Sequence, residues 1–259
     1  MINFNSSLLS LSVKSWFINW GKDLANSFEK TFIKKDRWLQ LLKALGVTLE
    51  ITLFAAILGI VIGFIIAAIR STYDKNLQGH KCRVFGDYLL KFVNGICNIY
   101  LTVIRGTPVV VQLMIIHFIV LASVRNGIYA AIVAFGINSG AYVAEIVRSG
   151  IMSIDKGQFE AGRSLGFNYI QTMWYIVFPQ AFKNILPALG NEFIVLIKET
   201  SVAGYVALKD ITYVGNLIRS RTYEAFFPLI TVAAIYLAIV MILSYFLKKL
   251  ERRLRSSDH

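Results

Sequence analysis

From Ala44 to Ile69 the chain carries a single charged side chain, Glu50. A helix needs roughly 20 predominantly apolar residues to cross the hydrocarbon core of a bilayer, and this run exceeds that length. It is read as a first membrane span. Three more stretches are apolar enough to join it: Pro108 to Val124, extended backward through Ile104; Ile128 to Val147; and Phe226 to Leu247. A more polar candidate, Asn191 to Leu208 starting near Pro187, makes five. The four prolines, Pro108, Pro179, Pro187 and Pro228, are expected at segment edges, where a missing N–H is tolerated. The fold class is therefore an all-α integral membrane protein.

Composition agrees with a bilayer as solvent. The chain is 56% hydrophobic and 16% charged with mean hydropathy +0.60, too apolar for a soluble domain of this length. Its net charge of +12 sits at the edges of the apolar runs, where Lys and Arg flank membrane spans, and this excludes a nucleic-acid partner in favour of membrane lipid. Cys82 and Cys97 have no ligand spacing and are read as free thiols, with no metal site and no cofactor.

Residues 1–43 are mixed in character and show no cleaved signal; they form an N-terminal interfacial or extracytoplasmic segment. Within it, Leu8 to Trp20 sets Trp16, Phe17 and Trp20 beside Lys14, as an amphipathic interfacial helix does. Residues 44–247 are the membrane domain and 248–259 a basic tail. The stretch Val84 to Val103 carries Lys91, Asn94 and Asn98 and reads as an interfacial helix leading into span two, with a sixth span as the alternative. Gly59 and Gly63 form a GxxxG through which a second helix can approach closely.

Five spans put the 70–105 loop, the 148–185 loop and the tail on one side. That side holds fifteen of the 27 basic residues, which marks it as cytoplasmic and the amino terminus as outside. The longest loop, about 150–180, is polar and Gly-punctuated. Gly157 to Leu165 is predicted to be a short helix ended at Gly166, which can adopt the left-handed conformation. Asn168 and Gln171 form a variant capping box for the next helix, which runs toward Pro179. Ala161 and Gly162 leave one side of the short helix bare enough for another protein's backbone, and Glu160 adds a charge. Loops of this length are usually functional.

The same residues carry a resemblance. Glu160-Ala161-Gly162, three residues, Gly166, nine residues and Ile176-Val177-Phe178-Pro179 resemble the E-A-A, G, I-x-L-P signature of the permease subunits of ABC importers, with Gly162 and Phe178 as the departures. "RGTPVVVQL" (Arg105 to Leu113), "SGAYVAEIVRSGI" (Ser139 to Ile151), "KGQFEAGRSLG" (Lys156 to Gly166) and "KETS" (Lys198 to Ser201) resemble the polar amino acid branch of that family, over roughly Leu41 to Leu254. The resemblance implies a five-span, MetI-like permease fold whose loop between spans three and four holds a coupling helix. It implies pairing with itself or a sister permease, a cytoplasmic ATPase on Gly157, Glu160, Ala161, Gly162, Gly166 and Pro179, and an external binding protein that delivers an amino acid. The chain has no G-x-x-x-x-G-K-[ST], so ATP is expected on the partner chain and no catalysis here.

Polar residues inside spans are costly and mark pathways or interhelical pairs. Asn138 and Glu145 share one face of span three, and Glu192 and Glu199 one face of span four. Glu145, Glu192 and Glu199 are candidate acceptors for an α-ammonium group; Asn138, Ser139, Thr200 and Ser201 are candidate contacts for an α-carboxylate. The competing reading pairs Glu145 with Arg148 and Glu199 with Lys198. His117 reads as a bundle histidine and Arg105 as a headgroup anchor for span two. An ion-coupled carrier without an ATPase is the alternative function, but it has no use for a docking helix in the long loop.

The charge bias makes a topological prediction. In intact cells, a membrane-impermeant thiol reagent labels Lys30→Cys but neither Leu165→Cys nor Arg255→Cys; the reverse pattern would overturn the orientation.

Overall fold

The computed structural model describes Asn19, residues 21–77 and residues 84–255, so the Leu8 to Trp20 amphipathic segment, His80 and Cys82 lie outside the described residues apart from Asn19. Its elements are helical throughout: α1 (Arg37–Asn76), α2 (Phe85–Gly106), α3 (Val109–Ile115), α4 (Gly127–Met152), α5 (Lys156–Ser164), α6 (Tyr169–Thr172), α7 (Phe178–Glu199), α8 (Ile211–Thr222) and α9 (Phe226–Arg255). A π-helical turn, Ile116–Val120, continues α3, and another, Met173–Val177, joins α6 to α7. A 3₁₀ stretch, Thr200–Val206, follows α7.

Among the described residues three helices are long and apolar enough to cross a membrane: the run Gly21–Lys75 that contains α1, then α4, and Phe226–Leu254 of α9. A fourth is counted if α2 and Val109–Val120 make one crossing, and these are bent by 109° from each other. The extension of span two backward through Ile104 is therefore not one straight helix. The break lies at Gly106-Thr107-Pro108, where Thr107 is extended (φ −121°, ψ 146°) because the ring of the following proline disfavours the helical region. The fourth candidate is also displaced. Its helix is Phe178–Glu199, ending where Asn191 to Leu208 was expected to continue, and Pro187 lies inside it. Pro179 already occupies the first turn of α7; an internal proline is tolerated in a membrane helix because neighbouring groups re-satisfy the freed carbonyl.

Helix α4 is the centre of the fold. Its buried side chains join two apolar clusters, one with Ile51, Ala55, Leu113 and Leu196 and the other with Ala67, Val177, Ala181 and Ile185. Against α1 it packs through glycines on both helices. A Cβ on Gly59 would lie 3.1 Å from that of Ser139, and one on Gly63 only 2.4 Å from Val143 Cγ1 and 2.9 Å from the Ala144 amide nitrogen. On the facing side are Gly136 and Gly140, again four apart, where a Cβ would lie 2.7 Å from Leu58 Cδ2 and 2.9 Å from Ile62 Cγ2. In lipid, where apolar burial does not drive helices together, such close backbone approach supplies the packing that does.

Before α1 the chain turns at Lys35 and Asp36, both left-handed (φ 60° and 50°). Arg37 folds back to donate to the Lys30 carbonyl, and Gln40 donates to that of Lys35 at 3.1 Å. The preceding helical turn rests on the start of α9 through Phe28, Phe32 and Phe227 and through Ser27 donating to Glu224.

The glycine contact makes a prediction. Gly63→Val forces the α1–α4 backbones apart and lowers thermal stability in detergent by about 1–3 kcal/mol, the usual cost of overpacking. Gly46→Ala, where an added Cβ meets nothing within 4 Å and alanine is the better helix former, does not lower the melting temperature.

Candidate functional site

The long loop forms a compact hairpin of two short helices. Asp155 caps α5 by accepting from the Gly157 amide at 2.6 Å, and α5 runs from Lys156 to Ser164. Gly166 follows at φ +79°, where an L side chain is strained, and its backbone reverses the chain. Asn168 and Gln171 then bond reciprocally, each accepting from the other's amide at 2.9 Å, to start α6. The local chemistry of the sequence is thus reproduced with α5 one residue earlier than Gly157 to Leu165.

Gly162 differs from its expected use. It is buried, and a Cβ there would meet Thr172 Cγ2 at 2.6 Å and Ile176 Cδ1 at 3.2 Å. The close approach it permits is taken up by the returning limb of the same hairpin rather than left open for another protein. Ala161 and Glu160 remain exposed. Around them the hairpin presents Leu165, Ile170, Trp174 and Tyr175, each at least 65% exposed. Sequence reading passed over this apolar rim, because Trp174 and Tyr175 lie in a stretch read only as leading back to the membrane. Gly157 lies in the first turn of α5 and Pro179 in that of α7, where the loop meets the bundle. Beneath the hairpin a 340 Å³ groove is lined by Asp74, Lys75, Phe159, Glu160, Arg163 and Tyr169 among others, and burial raises the Tyr169 phenol above its ordinary value.

A second set of polar groups lies halfway along α4. Asn138 is buried and donates to Gln112 Oε1 at 3.0 Å; Ser139, also buried, donates to Glu192 Oε1 of α7 at 2.8 Å. Gln112 in turn donates to the carbonyls of Ile104 (2.8 Å) and Thr107 (3.1 Å). Those carbonyls are left without helical partners by the 109° bend, and the Gln112 amide satisfies them. Gln112 was not among the sequence candidates, although a lone amide four residues after Pro108 in an apolar run is a signal of such a role. Asn138 Oδ1 is buried without a hydrogen-bond partner.

The other candidates separate from this seam. Glu145 binds Arg148 at 2.6 Å, with Arg70 and Arg105 3.9 and 4.0 Å away, and Arg148 also binds Asp74 at 3.0 Å. It belongs to an ion cluster joining the ends of α1, α2 and α4, and Arg105 lies in that cluster, its guanidinium 5.6 Å from the Tyr142 ring. Thr200 is fully buried and donates to the Ile197 carbonyl at 2.7 Å, 3.5 Å from Thr52. Ser201 lines a pocket with Lys198, Thr212 and Tyr236, facing α8 and α9. Glu199 stands two turns beyond Glu192 on α7, at its end.

The loop hairpin, its spacing and the apolar helices meet in one family model. Residues 85–256 match that of the binding-protein-dependent transport system inner membrane component. The chain belongs to this family. Among relatives of this inner membrane component, the arginine transport system permease protein ArtQ of Bacillus subtilis (strain 168) is 38% identical over 221 residues, covering 84% of this chain and 94% of the relative. The glutamine transport system permease protein GlnP of Escherichia coli (strain K12) is 36% identical over 210 residues, with 80% and 90% coverage. A crystal structure of an amino acid ABC transporter with histidines superposes with TM-score 0.72 at 38% identity, over 83% of this chain and 94% of that one. The MetNI methionine ABC transporter in an inward-facing conformation gives TM-score 0.72 at 19% identity, covering 85% and 99%, and shows the shared fold.

The seam makes its own prediction. Gln112→Leu strands the Asn138 amide and two carbonyls and costs about 1–3 kcal/mol for the buried groups left unpaired. Thermal unfolding of the purified protein reads it as a lower midpoint with unchanged helical circular dichroism.

Proposed function

We propose that this inner membrane component is the translocation subunit of an ATP-driven importer of a polar amino acid. It crosses the membrane five times, through α1, the bent α2 and α3 pair, α4, α7 and α9, with the amino terminus outside. The observation that carries the reading is the hairpin: the spaced Glu160, Gly166 and Pro179 fold into a capped helix, a left-handed turn and a returning limb, with an exposed apolar rim. A separate ATPase occupies that rim and binds the nucleotide. A second permease subunit, identical or related, completes the pathway, and an external binding protein delivers substrate. Relatives named for arginine and glutamine transport favour a polar amino acid, and the Ser139–Glu192 pair with the unpartnered Asn138 oxygen supplies groups able to meet its charged ends. Glu145 acts in the ion cluster, not as a ligand.

Energy from ATP shifts a transporter between states only through contacts that differ between them, so the loop is where such energy enters. Co-expression with its cognate ATPase gives a complex that co-purifies and takes up amino acid only with ATP. Gly166→Val strains a β-branched residue at positive φ and cuts uptake while substrate capture by the binding protein is spared. Glu160→Lys reduces the ATPase retained on purification. Uptake at the wild-type rate in both variants would contradict the proposal.

A further inference from the structure

The end of α1 grips the loop although Lys75 and Phe159 are 84 positions apart in the chain. Lys75 Nζ lies 3.8 Å from the centre of the Phe159 ring of α5, a cation over the electron-rich face. One residue earlier, Asp74 binds Arg148 of α4 at 3.0 Å, and one turn earlier Arg70 stands 3.9 Å from Glu145. Ala67, fully buried, is wedged among Val143 and Val147 of α4, Val177, and Ala181 and Ile185 of α7. Farther along α1, Gly59 lies against Ser139, the residue that holds Glu192. A continuous set of contacts therefore runs from the loop helix, through α1, to the polar seam.

From this geometry we infer that Lys75 is a positioning residue for coupling: its contact with Phe159 makes α1 follow α5, so that movement of the loop reaches the seam through α1 as well as through α4 and α7. The inference rests on the importer reading above. Chain connectivity already ties α5 to α4 through Ser153 to Asp155 and to α7 through α6, but nothing covalent ties it to α1. The Lys75–Phe159 contact supplies that tie. The Asp74–Arg148 pair and the glycine contact hold α1 to α4 at two points along their length, so a pull on Lys75 displaces both helices together rather than bending α1 alone. A coupling route needs a demonstrated physical link whose two ends bias one equilibrium, and energetic coupling between the two residues is its measurable sign.

The experiment uses the ATPase complex reconstituted with its binding protein, reading amino acid transported per ATP hydrolysed. Lys75→Met keeps the apolar stem and removes the cation; Phe159→Leu keeps apolar bulk and removes the ring. Each lowers the ratio about threefold to tenfold, the double variant lowers it no further than either single one, and Lys75→Arg, which also stacks on rings, restores it to within about twofold of wild type. Lys75→Met retains its ATPase on purification and its basal hydrolysis. A wild-type ratio in Lys75→Met, or fully additive losses in the double variant, would overturn the inference while leaving the importer reading intact. Failure of the wild-type chain to retain any ATPase would sink the reading itself, and is seen before any variant is made.

Discussion

Backbone contact between α1 and α4 at Gly59, Gly63, Gly136 and Gly140 is the constraint on which the other features depend. Helices in lipid gain little from hiding apolar surface, so the pair that approaches most closely sets the frame. Here that frame fixes three things. It places Ser139 in the contact itself, with its hydroxyl donating to Glu192, and leaves Asn138 to donate to Gln112. It brings the ends of both helices close enough for Asp74 to bind Arg148. It also leaves the α4 terminus to launch the loop beside the last turns of α1.

The loop itself is a self-supporting unit. Its helix is capped at Asp155, reversed at Gly166 and restarted by the Asn168–Gln171 box, and Gly162 admits Thr172 so that the two limbs touch. Because Gly162 is taken up by internal packing, the apolar surface the hairpin leaves exposed is the rim of Leu165, Ile170, Trp174 and Tyr175 with Glu160 beside it. In the proposed function, a hairpin stiffened in this way is the body through which a separate ATPase acts.

Features governed by near neighbours were legible in the sequence. The capping box, the left-handed glycine and the apolar runs depend on residues within a few positions of each other, and the GxxxG at Gly59 reports a close contact without naming the partner. The bend between α2 and α3 was written in Gly106-Thr107-Pro108 but was outweighed by the apolar run on either side. The helix of the fourth candidate begins earlier, at Phe178, than was expected, because its first turns are polar and Pro187 looked like a boundary. What depends on distant pairing was not legible: Gln112 has no visible role until the bend frees the Ile104 and Thr107 carbonyls, and the local Glu145–Arg148 pair, the competing reading of the sequence, becomes an ion cluster only when Arg70 and Arg105 converge on Glu145 and Asp74 on Arg148. Lys75 and Phe159 share no periodicity at all.

If the glycine contact is the frame, α1 and α4 keep one geometry throughout the transport cycle while other helices move around them. Paired spin labels at the exposed positions Leu53 of α1 and Tyr129 of α4, in a cysteine-free background, measure this directly in the reconstituted ATPase complex. The account predicts the same 53–129 distance in the nucleotide-free and ATP-trapped states, while a second pair joining Leu53 to the exposed Leu237 of α9 changes. A 53–129 distance that shifts on nucleotide trapping would contradict it.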